Sequence, residues 1–246
     1  MTWQVMGGAR NVAGLSFRVV VPPTPAVKTC CLAIALSVLL SLSAPASAEQ
    51  LSDFGPILTA HDWNGMDCDT TCVAGLKRQH WLALVPGNDG WSLVPTRLSF
   101  DEPNKNGVRS SVQGAEFYLA HPALLAGHAA APDMRFKGRP RAFVDRHASP
   151  LQMVFRDHTY EIAIEGHDVV LRSGGRKSVI GGVNEDLGDL SETTLLWAGD
   201  LDGDGDIDLI IQRVSAKNGR LCLLLSSANK VPSRIVSDVG CQFFSG

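Results

Sequence analysis

The sequence has no hydrophobic run long enough to cross a bilayer. Its longest, CCLAIALSVLLSLS, covers residues 30–43, short of the roughly 20 apolar residues a membrane-spanning helix needs. Charged residues are sparse at 19% and aromatics at 7%, while hydrophobic residues reach 45%. That composition excludes a disordered tail, a collagen and a coiled coil, and belongs to a globular chain. Nor is there an excess of basic charge. Lys and Arg number 22 against 25 Asp and Glu, for a formal net charge of −3, so no basic face points to nucleic acid. Catalytic signatures are missing too: the chain has no G-x-S-x-G, no H-E-x-x-H, no P-loop and no G-x-G-x-x-G. Ser227-Ala228-Asn229-Lys230 fits S-x-x-K but lacks S-D-N and K-T-G partners, and is read as a chance match.

What is present begins with an export pattern. Lys28 precedes the apolar run, and small residues follow at Ala46 and Ala48. A basic residue, a short hydrophobic run and a small-residue cleavage site form the three parts of a secretory signal. Residues 1–48 are therefore expected to be cleaved, leaving a mature chain from Glu49 with no transmembrane segment, periplasmic or extracellular. Four cysteines survive cleavage: Cys68, Cys72, Cys222 and Cys241. An even number in an exported chain suggests disulfides, and the local pairs Cys68–Cys72 and Cys222–Cys241 are preferred. A zinc site or redox pair at Cys68-x-x-x-Cys72 is the alternative, although the spacing is not C-x-x-C.

From Trp81 onward, short apolar runs alternate with turn residues. Trp81–Val85, Trp91–Phe100, Glu116–Ala120, Ala142–Asp145, Leu151–Arg156, Tyr160–Ile164 and Val169–Arg172 read as strands. Runs of this length, punctuated by Gly and Asn, predict an all-β fold: an antiparallel meander, sandwich or barrel-like single domain over residues 49–246. The helical candidate is near His121–Ala130, where Pro122 and Gly127 leave room for one or two turns at most. Residues 49–75 look loop-like.

The chemistry concentrates in LLWAGDLDGDGDIDLIIQ, residues 195–212. Asp200, Asp202, Asp204 and Asp208 stand at positions one, three, five and nine of a loop, with Gly205 at six and Asp206 at seven. Calcium takes six to eight oxygen ligands, and a short loop supplies them by curling around the ion. Glycine at six permits the sharp turn that brings the position-seven carbonyl inward. An EF-hand needs a bidentate Glu at position twelve, and here stands Ile211. The apolar brackets Leu195–Trp197 and Leu209–Ile211 place the loop between two strands as a hairpin near the carboxyl end. Magnesium and manganese are the rival ions, magnesium demanding stricter octahedral geometry.

The loop resembles the FG-GAP/VCBS-type calcium motif of integrin-like repeats, D-x-D-G-D-G-x-x-D-L. It matches at Asp200, Asp202, Gly203, Asp204, Gly205, Asp208 and Leu209. The resemblance implies a calcium ion held by the side chains at one, three, five and nine and by the Asp206 carbonyl. It occurs once, so a complete repeat-built propeller is not expected. The wider stretch to Cys241 is loosely similar to the carboxyl end of exported bacterial proteins. Two functions follow as expectations. One is a non-catalytic, exported calcium-binding β-protein, with the ion stapling a hairpin in a binding or envelope role toward a protein or glycan. The other is a calcium-dependent hydrolase of polysaccharide or phosphoester, which requires distant histidines or carboxylates such as His61, His80, His121, His158 and His167 to converge. Trp63, Trp81, Trp91 and Trp197 are expected in the core rather than on a sugar-binding face.

Overall fold

Hairpins follow one another along most of the chain. The computed structural model describes residues 55–59, 70–100, 108–132, 142–144, 150–182, 192–214 and 218–245. In chain order the elements are β1 (Ile57–Thr59), α1 (Thr70–Arg78), β2 (Trp81–Gly87), β3 (Gly90–Thr96), β4 (Leu98–Phe100), β5 (Val108–Ser110), β6 (Phe117–Leu119), β7 (Gly127–Ala129) and β8 (Ala142–Val144). They continue with β9 (Leu151–Phe155), β10 (His158–Glu165), β11 (Asp168–Ser173), β12 (Arg176–Gly182), β13 (Glu192–Gly199), β14 (Asp208–Val214), β15 (Asn218–Leu225) and β16 (Ser237–Ser245). The fold is all-β, every strand pairing is antiparallel, and the sheets are open rather than closed into a barrel. All of these elements lie within one unit, Pro45–Gly246.

Three sheets carry the architecture: β1-β6-β2-β3-β7, β12-β11-β10-β9 and β16-β15-β14-β13-β8. The last lies in the middle. On one side Leu209, Ile211, Cys222 and Leu224 pack with Met153, Tyr160, Ile162 and Leu171 of the β9–β12 sheet. On the other, Ile210, Leu221, Leu223 and Leu225 pack with Ile57, Leu84, Phe117 and Leu119. Burial on both faces explains why β14 and β15 read as near-continuous apolar runs rather than alternating ones. A register shift between Leu195 and Trp197 sends these two side chains, two residues apart, into opposite cores. A bulge re-aims a strand in this way, and this one lies just ahead of the acidic loop.

Several details differ from the sequence expectation. Residues 121–130 form a turn and then β7, not a helix; the Pro and Gly that limited the helix abolish it. The loop-like reading of 49–75 misses β1 and the start of α1. In α1, Leu76 is buried beside Trp81, whose indole Nε1 donates to the Leu76 carbonyl at 2.8 Å. Trp91–Phe100 is two strands in different sheets, β3 and β4. Cys222 and Cys241 face each other across β15 and β16 and form a disulfide. Of the expected Cys68–Cys72 pair, Cys72 falls within α1 while Cys68 lies outside the described residues, as does the signal segment. Among the described residues, no helix is long and apolar enough to cross a membrane.

Candidate metal centre

The acidic loop joins β13 to β14, two inner strands, at one end of the middle sheet, and its own side chains wind it. Asp202 Oδ1 accepts from the Asp204 amide at 3.2 Å, and Asp204 Oδ1 from the Asp206 amide at 2.8 Å. Asp200 Oδ1 accepts from Gly203 N at 2.7 Å and its Oδ2 from Gly205 N at 3.1 Å. Aspartates bonded to amides a few residues ahead are a turn-forming device. Gly203 and Gly205 hold φ of +79° and +95°, conformations that suit glycine.

Of the five aspartates expected at the ion, three converge. Asp200, Asp202 and Asp208 each offer a carboxylate oxygen, and these oxygens lie within 4.8 Å of one another. Asp204 Oδ2 instead accepts from Ser226 Oγ at 2.8 Å. The Asp206 carboxylate turns to the Arg176 guanidinium at 3.2 Å and is not part of the converging group.

Burial makes the group costly without a cation. Asp208 is 0% and Asp200 4% exposed. Asp208 Oδ2 accepts from Leu201 N at 2.7 Å, and its Oδ1 from Ser226 N at 2.8 Å. Burial nevertheless pushes the Asp208 carboxyl up to about 8, with the Asp202 charge adding to the rise and the Ser226 and Leu201 amides opposing it. Asp202 is likewise raised, first by burial, against a hydrogen bond from Ser227. A bound divalent ion reverses this balance by favouring the ionised forms.

The surroundings supply groups the sequence reading missed. Arg156 Nη2, from the β9–β10 turn, reaches Asp200 Oδ2 at 2.8 Å. Ser226 and Ser227, at the end of β15, brace Asp204, Asp208 and Asp202. Because Leu209 pairs with Leu224, a hairpin drawn through the loop would have put these serines beside it. Nothing in the sequence marks the two arginines, which arrive from another sheet. Tyr160 is fully buried, and its hydroxyl has no hydrogen-bond partner among the described residues. Burial raises its pKa, with the Asp206 and Asp204 charges adding and Arg176 and Arg156 opposing, so this hydroxyl feels the loop from beneath.

The remaining candidates do not gather. His80, His128, His158 and His167 are exposed, and His61 and His147 lie outside the described residues. His121 is half-buried; burial lowers its pKa, against the Asp202 charge. No histidine joins a potential metal-holding group among the described residues. Trp81 and Trp197 are buried, and Trp91 meets Trp197 edge-on at 6.3 Å between centroids; Trp63 lies outside the described residues. Comparison with known proteins finds no matching family model, no matching curated protein and no matching solved structure.

Proposed function

We propose that this chain is an exported, non-catalytic calcium-binding β-protein in which the ion ties the β13–β14 hairpin together for a binding or envelope role. One observation carries the reading: carboxylate oxygens of Asp200, Asp202 and Asp208 converge within 4.8 Å although two of these residues are buried. Three clustered carboxylates, two of them out of water, repel one another, and the one contact with Arg156 offsets only part of a charge that a divalent cation among them would balance. Hard oxygen ligands on a curled loop suit calcium, with a carbonyl and waters completing six or more positions. The likeness of the loop to the FG-GAP/VCBS-type motif points the same way.

Calcium bound to the native state alone stabilises it by about 2.7 kcal/mol at a hundredfold excess over Kd. For a domain of this size that raises the melting midpoint by about 5–10 °C. Protein purified metal-free and melted with calcium or with chelator tests the proposal; equal midpoints would end it. Hydrolysis of a phosphoester or polysaccharide by the calcium-loaded protein, lost on chelation, would replace it with the hydrolase reading.

A further inference from the structure

Arg156 occupies a position that a bulky side chain avoids. It opens the two-residue turn between β9 and β10 at φ +43°, alone among the described non-glycine residues in having a positive φ. A long side chain held in left-handed backbone marks a constraint from its surroundings. The two-residue hairpin turn itself calls for a positive φ at this position, and the turn presents the side chain to the acidic loop of the neighbouring sheet. Arg156 Nη2 lies 2.8 Å from Asp200 Oδ2, and the arginine side chain stays 51% exposed while that of Asp200 is 3% exposed. Gly205 opens the way, since a Cβ there would stand 2.6 Å from Arg156 Nη1. Arg176, from the next turn of the same sheet, pairs with Asp206, whose carboxylate is outside the three-oxygen group.

We propose that Arg156 is a tethered cation that competes with calcium for Asp200 and thereby sets the ion concentration at which the loop loads. The proposal rests on the calcium reading above. In the metal-free chain the guanidinium supplies positive charge beside the clustered carboxylates and helps the loop keep its shape. Calcium must draw Asp200 Oδ2 away from it. The arginine is able to yield, because it is anchored at a hairpin tip and half of it is already in water.

Calorimetric calcium titration of the full chain tests this with three proteins: wild type, Arg156→Gly and Arg176→Gln. Glycine is at ease at φ +43°, so the first variant keeps its turn. The second removes the same charge from the same rim without freeing an oxygen of the cluster. Arg156→Gly is expected to bind calcium about tenfold more tightly, roughly the return from removing one charge-assisted hydrogen bond that the ion must break. Arg176→Gln is expected to stay close to wild type. The proposal is overturned if Arg156→Gly binds no more tightly than wild type, or if Arg176→Gln gains as much, which would reduce the effect to a general field. Calcium binding by none of the three would remove the calcium reading and this proposal with it; binding by wild type with no gain in Arg156→Gly removes this proposal alone.

Discussion

Asp208 and Ser226 meet at one carboxylate oxygen: the serine amide donates to it at 2.8 Å, and the serine hydroxyl, whose single proton is shared with Asp204, lies 3.0 Å from it. The other oxygen takes the Leu201 amide at 2.7 Å. The carboxylate thus braces the loop in addition to facing its centre. Asp208→Ala leaves two buried amides unpaired, and each such loss costs about 1–3 kcal/mol. The expected destabilisation is about 3 kcal/mol, measured by denaturant unfolding in chelator. Asp208→Asn keeps an acceptor oxygen and should lose less. A loss below about 1 kcal/mol for the alanine variant would contradict the bracing role.

Calcium dependence should divide the aspartates. Asp200→Ala removes a member of the converging group and is expected to abolish the calcium-induced rise in melting midpoint. Asp206→Ala removes a carboxylate already committed to Arg176 and should leave most of that rise in place. His167→Ala, at an exposed position, should not change it. Melting the three variants with calcium and with chelator checks the division.

The Cys222–Cys241 disulfide closes a sequence separation of 19 residues. On the chain-entropy account, a loop of that length contributes about 3 kcal/mol, chiefly by restricting the unfolded chain. Unfolding the protein with and without reductant should show that difference at unchanged native secondary structure. Equal stability of the two forms would count against it.

A third set of charges predicts a pH dependence away from the loop. Glu165 accepts a hydrogen bond from Lys177 at 2.7 Å and is paired with Arg172. The Lys177 bond foremost lowers its pKa from 4.5; burial opposes it next, and the Arg172 and Lys177 charges lower it further. A carboxyl with a depressed folded pKa stabilises the fold fully above its unfolded value, and that share fades as pH falls through the folded one. Glu165→Gln should therefore be less stable than wild type at pH 7, and the gap should close as the solution is taken well below pH 4.5. Paired denaturation curves across that range decide it, and a gap that persists in acid contradicts the assignment.

Strand after strand was legible because a half-buried strand writes its faces into alternate residues, as Tyr160, Ile162 and Ile164 do within β10. The order in which sheets stack was not. In β14 and β15 both faces are covered, and a run such as LCLLL marks burial without naming the neighbours. Helix α1 escaped notice because TTCVAGLKR holds Thr, Val and Gly, all weak helix formers; packing of Leu76 against Trp81 overrides that preference. The acidic loop could be read since the carboxylate spacing is local. Arg156 could not, because its place beside Asp200 is created only when two sheets come together.

The middle sheet begins with β8 and resumes with β13, its immediate neighbour, yet the chain lays down all of β9–β12 between them. Joining those two neighbours therefore has to wait for a long detour to be completed. Long loops are slow to close, so assembly should proceed from local meanders, with the β8–β13 seam zipping up late. Nascent chains stalled before Glu192 would hold both outer sheets with nothing to lean on, and their greasy inner faces would be open to misassociation until the last 55 residues, 192–246, arrive.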